Sequence, residues 1–211
     1  MQEVISYTQL TKQFQGISTY LFDMDGTVMN TEVIHARAIN LIIKEQTGTE
    51  IALDKLEIMC IGLTDEVVYH KLVKDQLVKS MLLDEFLDHK KQLFNEILKE
   101  IDPSVIFKPQ VKKLLRSLSK EHNLALVTSS ERETTHVLLD FLGIKDLFHH
   151  IITREDTKDN KPHPAPYHLA MEKFSVSAKE CLIFEDSVPG RTAAINSGAT
   201  LFEVDWYLPN L

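Results

Sequence analysis

The order in which short apolar runs and helical patterns follow one another constrains this chain most. Five β-rich runs stand out, at Thr19–Asp23, Leu124–Thr128, His150–Thr153, Cys181–Glu185 and Thr200–Val204, and helix-periodic segments fill the gaps after the second, third and fourth. Strands that alternate with helices in this way predict a parallel sheet covered by helices, an α/β architecture. The helical stripes have core spacing. Val111, Leu114, Leu115 and Leu118 follow Pro109, while Thr134, Val137, Leu138 and Phe141 precede Gly143, a residue suited to ending a helix.

Between the first and second runs the pattern changes. From Thr31 to Ser104 the chain carries helical periodicity and almost no strand signal, over a stretch too long for a simple crossover. Ile34, Ala38, Leu41 and Ile42 form one stripe; Phe86, Leu93, Phe94, Ile97, Leu98 and Ile101 form another. The expectation is a helical insertion at 31–104 with its own small core, set into an α/β domain built from 1–30 and 105–211. The exit falls near Asn30–Glu32. The return falls near Asp102-Pro103, because proline restricts the residue before it and ends helices, and Pro109 then opens the next one.

Composition narrows the function classes. With 211 residues, 44% of them apolar, the chain has enough material for one full-sized core and a modest second one. The net charge is -8 and the basic residues are scattered, a poor electrostatic footprint for nucleic acid or an anionic membrane. Cys60 and Cys181 lack C-x-x-C spacing and read as buried thiols of an intracellular protein. No apolar run approaches the roughly 20 residues of a membrane span. Met1–Gly16 lacks the apolar core of a signal peptide, so a cytoplasmic location is expected.

The strongest chemical signal is Leu21-Phe22-Asp23-Met24-Asp25-Gly26-Thr27, where an apolar strand runs out into two carboxylates and a glycine turn. Ligands bind at strand ends in parallel sheets. If the extended backbone persists to Asp25, both acids point to one side, so that one can attack while the other handles a proton. A solvated acidic turn is the bland reading. A calcium loop is excluded, because an EF-hand needs its glycine at position six, whereas Gly26 stands at position four counted from Asp23. Later strand ends carry matching groups. Leu124–Val127 runs into Thr128-Ser129-Ser130, whose hydroxyls and N–H groups could donate to phosphoryl oxygens, or simply cap a helix. Lys161 lies in Asn160-Lys161-Pro162-His163-Pro164, and Cys181–Phe184 ends in Glu185-Asp186-Ser187 followed by Pro189-Gly190. A surface lysine and an acidic helix start are the ordinary alternatives for these two.

Taken together and in this order, the four segments resemble the signature motifs of the haloacid dehalogenase superfamily. Lys161-Pro162-His163-Pro164 and Glu185-Asp186-Ser187-x-x-Gly190 resemble the subgroup of phosphoglycolate phosphatases and β-phosphoglucomutase, although Asn160 stands where that subgroup has glycine and Ala165 where it commonly has an acid. The resemblance implies a Rossmann-like three-layer core with an inserted α-helical cap. It implies a magnesium-dependent phosphatase acting on a small phosphomonoester through a phospho-aspartate. Asp23 would be nucleophile and metal ligand, and Asp25 would be acid and base while offering its backbone carbonyl to the metal. Asp186 would be a direct metal ligand, with Glu185 bound directly or through water. Thr128, Ser129 and Lys161 would hold the phosphoryl oxygens. The resemblance leaves a phosphosugar mutase as the nearest rival, disfavoured because Asp65 stands where the mutase has a cap arginine, although His35 matches a cap-proximal histidine. A non-catalytic phosphate-binding module on the same fold is a further alternative. Neither the particular ester nor the oligomeric state is readable from the residues.

Overall fold

The computed structural model describes residues 3–60 and 63–207. Five strands form one parallel sheet: β1 (Thr19–Phe22), β2 (Asn123–Val127), β3 (His150–Ile152), β4 (Cys181–Glu185) and β5 (Thr200–Glu203). Their order across the sheet is β3-β2-β1-β4-β5. The chain therefore builds outward from β1 on one side, then returns to build outward on the other, which puts a topological switch point between β1 and β4. All five strands lie within one or two residues of the runs visible in the sequence.

Helices cover the sheet because alternate strand residues are apolar on both faces. Leu21, Ala125, Val127, Cys181 and Ile183 pack with Tyr167, Ala170 and Met171 of α9 (Ala165–Phe174) and with Ala193 and Ala194 of α10 (Val188–Ser197). The intervening residues Phe22 and Phe184 stack at 4.3 Å, and Phe184 continues this aromatic layer to Phe202 and Trp206. In α1 (Tyr7–Gln13) a capping box of Ser6 and Gln9 closes the first turn, and Leu10 is buried. In α7 (Pro109–Leu118) Pro109 opens the helix, and Val111, Leu114, Leu115 and Leu118 are buried. The α8 stripe (Arg132–Leu142) differs from expectation. Thr135, Leu138, Leu139 and Leu142 are buried, while Val137 is exposed and Phe141 only partly covered. The apolar residues Val137–Leu139 and Phe141–Leu142 are nearly contiguous, so spacing allowed two neighbouring faces and packing selected the one with Leu139 and Leu142 inward.

The chain divides into two compact units, one formed by Met1–Asn30 with Pro103–Leu211, the other by Thr31–Asp102. Pro103 and Ser104 thus belong with the sheet, where they begin the short helix α6 (Pro103–Ile106). The described residues of the second unit form helices: α2 (Glu32–Thr47), α3 (Leu53–Cys60), α4 (Asp65–Lys74) and α5 (Leu83–Glu100). Its core joins Ala38, Ile39, Ile42, Ile43, Leu72 and Phe86 among others. Leu41, expected inside, is exposed; Ile39 and Ile43 take the inward face of α2 instead. Both cysteines are free and buried, and burial pushes each thiol up to about 11. Among the described residues no helix is long and apolar enough to cross a membrane.

Candidate active site

Strand register brings the polar residues together. Phe22 of β1 is level with Leu126 of β2 and Phe184 of β4. One residue further on, Asp23 lies between Val127 and Glu185 at the carboxyl ends of three adjacent strands. The Asp23 N–H donates to the Phe184 carbonyl at 3.0 Å, so the sheet ladder itself fixes the residue. Lys161 reaches in from the loop before α9 and bridges all three strands. Its ammonium donates to Asp23 Oδ1 at 2.6 Å, to the Val127 carbonyl at 2.9 Å and to Glu185 Oε1 at 2.7 Å. Only 4% of that side chain is exposed.

Asp23, Glu185 and Asp186 each present a carboxylate oxygen within 4.8 Å of the others. Two glycines make room for them. A Cβ on Gly26 would collide with the Asp186 carboxylate, and one on Gly190 would collide with Glu185. Gly26 also has φ 81, a left-handed conformation that side-chain-bearing residues rarely adopt. Three acids against one lysine leave the cluster short of positive charge. Desolvation raises Asp23 well above the usual carboxylate range against the pull of Lys161, and Glu185, Asp186 and Asp25 push the same way. Burial and then Glu185 push Asp186 up to about 7. Burial works against the Lys161 ammonium, yet Asp23, Tyr167 and Glu185 hold it well above the ordinary lysine range. Such a cluster could hold a cation. Its all-oxygen donors, buried but with Asp186 partly open, suit a hard divalent ion such as magnesium.

Glu185 differs from the other two acids. Oε1 accepts from Lys161 and from the buried Tyr167 hydroxyl at 3.2 Å, while Oε2 accepts from the Ser187 N–H at 2.9 Å and the Ser187 hydroxyl at 3.1 Å. These four donors match the four lone-pair sites of a carboxylate. Asp186 has lighter commitments, to the Thr27 hydroxyl at 3.1 Å on Oδ1, while the Arg191 guanidinium holds its backbone carbonyl at 2.7 Å.

Asp25 stands apart from this cluster. Its Oδ2 accepts from the Ser130 hydroxyl at 2.8 Å. The backbone does not stay extended as far as Asp25; it coils after Met24, whose carbonyl accepts from the N–H groups of Val28 and Met29 at 2.9 and 3.0 Å. Asp23 and Asp25 therefore do not share one strand face. Thr128 is buried, and its hydroxyl accepts the Ser130 N–H at 3.0 Å, which leaves its own proton to donate. Ser129 is exposed on the same loop. Sequence reasoning took Ser130 only as one hydroxyl of a phosphate-binding or capping triplet, not as a partner of Asp25, and did not name Tyr167 at all. Ser130 was visible as the third hydroxyl of the strand-end triplet, but Tyr167 had no signal beyond its place six residues after Lys161.

The sequence profile of the haloacid dehalogenase-like hydrolases matches residues 20–204. The chain belongs to that family. A phosphoglycolate phosphatase of Yersinia pestis is 31% identical over 183 residues, covering 83% of this chain and 75% of its own. The fructose-1-phosphate phosphatase of Escherichia coli is 26% identical over 204 residues, covering 90% of this chain and 98% of its own. Among solved structures, a putative beta-phosphoglucomutase from Thermotoga maritima superposes with a TM-score of 0.78 at 24% identity, over 92% of this chain and 88% of its own, a likeness of fold. As a haloacid dehalogenase-like hydrolase with phosphatase-named relatives across most of its length, the protein is a phosphatase-type enzyme.

Proposed function

We propose that the protein is a cytoplasmic, magnesium-dependent phosphatase that hydrolyses a small phosphomonoester through a phospho-aspartate at Asp23. The observation that carries this reading is the division of labour among the acids. Three carboxylates gather within 4.8 Å of one another around a buried lysine, while Asp25 is held aside by Ser130 at 2.8 Å. Asp23, Asp186 and the Asp25 carbonyl would hold magnesium, with Glu185, whose lone pairs protein donors already fill, acting through water or as the group that fixes Lys161. When bound, the ion neutralises the phosphate dianion that a carboxylate must approach.

The chain's own groups then account for the steps. Uncatalysed phosphomonoester hydrolysis is so slow that ~20 kcal/mol or more of barrier must be removed, mostly by positioning and charge stabilisation. Lys161 and Thr128 hold the non-bridging oxygens, joined by Ser129 on the same loop. Asp23 attacks phosphorus; the bond to the ester oxygen breaks, and Asp25 delivers its proton to the departing alkoxide. Asp25, now ionised, takes a proton from water as that water attacks the aspartyl phosphate, and the bond from phosphorus to Asp23 breaks to release inorganic phosphate. Ser130 keeps Asp25 aimed at this traffic. Substrate choice we assign to the helical unit Thr31–Asp102, and the names of the relatives support small phosphorylated metabolites as the class.

The test is phosphate release from a metabolite panel and from p-nitrophenyl phosphate, with and without EDTA, for the wild type and for Asp23→Asn. Activity should need magnesium and disappear in Asp23→Asn while folding is retained. Asp23→Asn retaining about a tenth of the wild-type rate, roughly 1.4 kcal/mol of barrier, would sink the nucleophile assignment.

A further inference from the structure

The turn that follows the nucleophile is braced by the far end of the chain. Between Asp23 and Asn30 the backbone closes on itself: the Gly26 N–H donates to the Met29 carbonyl at 2.7 Å, and Asp25 forms an isolated bridge with Met29. The carbonyls of Thr27 and Val28 are left without partners inside the turn, and both residues are buried. Two consecutive aromatic residues just beyond β5 supply those partners. The fully buried Trp206 indole donates to the Thr27 carbonyl at 2.8 Å, and the Tyr207 hydroxyl donates to the Val28 carbonyl at 2.9 Å.

The brace is itself held. The Tyr207 oxygen accepts the Lys108 N–H at 3.0 Å, just ahead of α7. The Lys108 ammonium donates to the Trp206 carbonyl and lies 5.2 Å above the Tyr207 ring. Aromatic contacts at 6.2 Å to Phe184 and 6.1 Å to Phe202 fix the indole against β4 and β5. None of the residues in this set is among those assigned to the chemistry. It ends, however, on two groups that matter: Thr27 donates its hydroxyl to Asp186 Oδ1 at 3.1 Å, and the turn carries Asp25.

We infer that Trp206 and Tyr207 are positioning residues, which hold the Gly26–Met29 turn in the register that aims Asp186 at the metal and Asp25 at the substrate. The inference rests on the phosphatase reading above. A residue bonded to a metal ligand is worth about 10–100-fold in metal affinity or activity. Trp206 acts one bond further out, through Thr27, so about 3–10-fold is expected for losing its N–H.

The experiment uses the full chain as wild type, Trp206→Phe, Tyr207→Phe and Leu10→Ala, the last being a buried apolar truncation in α1. Magnesium binding is measured by calorimetry without substrate. Then kcat and KM for p-nitrophenyl phosphate are measured at saturating magnesium, well below each variant's Tm. Trp206→Phe and Tyr207→Phe should weaken magnesium binding and lower kcat with little change in KM, whereas Leu10→Ala should lower Tm and leave both at wild-type values. Wild-type magnesium affinity and kcat in Trp206→Phe, however low its Tm, overturn the inference. If Trp206→Phe does not fold, Tyr207→Phe, which loses a single oxygen, decides the matter by the same two readouts. A wild type that binds magnesium but releases no phosphate overturns the functional reading alone, and the calorimetry still decides the brace. A wild type that binds no magnesium overturns both.

Discussion

Replacing Lys161 by methionine keeps the length and bulk of the side chain and removes only its charge and its donors. In the wild type that ammonium bridges Asp23, Glu185 and the Val127 carbonyl with 4% of its side chain exposed. Breaking a buried ion pair by removing one partner costs ~3–5 kcal/mol, because the remaining charge has nothing to answer it. Here the remaining charges are acids, so protons can answer them. Asp23 and Asp186 already have raised folded-state values, and losing the lysine, whose charge pulls Asp23 down, raises Asp23 further. An acid whose folded-state value lies above its unfolded one stabilises the fold at low pH, and that contribution is lost as pH rises through the interval between the two. At about pH 5 the penalty should shrink to ~1–3 kcal/mol, the cost of a Val127 carbonyl without its donor. At about pH 8 the full ~3–5 kcal/mol should appear, a fall in Tm of roughly 6–20 °C for a chain of this size. Thermal unfolding followed by circular dichroism at both pH values, in EDTA and in magnesium, measures the difference, and magnesium should recover most of it at the higher pH. Equal losses at both pH values would refute the electrostatic account and leave only a packing defect.

Two further outcomes follow from the same charges. Under the proposed reading, with Asp186 pushed up to about 7 and Asp23 also raised, magnesium would displace protons from its ligands; affinity by calorimetry should fall at least about tenfold per pH unit below roughly pH 7, and binding near pH 6 should release protons to the buffer. In the helical unit, Asp65→Arg should destabilise the protein, because Asp65 is the ion-pair partner of Lys90, whose side chain is 4% exposed. The pair is open to solvent on the Asp65 side, which reduces the buried-pair figure to about 1–3 kcal/mol, readable in the urea midpoint.

What could be read in advance was whatever the chain states locally. Five apolar runs, each ending in polar residues or a turn, gave the sheet, and the residues one step past β1, β2 and β4 gave the acids and the hydroxyls. Strand register does the rest, since level strand ends place Asp23 beside Glu185 without any further instruction. The features that escaped are those whose meaning depends on a distant partner. Ser130 matters because Asp25 lies 105 residues away in the chain and 2.8 Å away in space. Tyr167 looks like any buried aromatic of an amphipathic helix until its hydroxyl is seen on Glu185. Periodicity also left helix faces uncertain wherever apolar residues ran together, which is why Leu41 and Val137 are exposed against expectation. The notion that Asp23 and Asp25 share a face failed for a local reason: the chain coils after Met24, whose carbonyl accepts from the Val28 and Met29 N–H groups, so the extended run ends before Asp25. The loop before α4 bears on the cap reading, but Ile61 and Gly62 fall outside the described residues.

The Lys90–Asp65 pair recasts the choice between hydrolysis and mutase chemistry. From sequence, Asp65 counted against a mutase because a carboxylate standing in place of an arginine would repel a second phosphate. In the structure that carboxylate is committed to Lys90 and so is not a bare negative charge. Holding a second phosphate requires uncommitted positive charge. Lys90 has its charge neutralised by Asp65. His35, packed 4.8 Å from the Phe94 ring, has its imidazole lowered to about 3 by burial and by Lys90, so it is neutral at physiological pH and supplies no positive charge either. Under the phosphatase reading proposed above, Asp65 would act by cancelling a neighbouring cation. Reversing that preference requires freeing Lys90 rather than adding an arginine, so Asp65→Asn, not Asp65→Arg, is the substitution that would move the helical unit toward a bisphosphate.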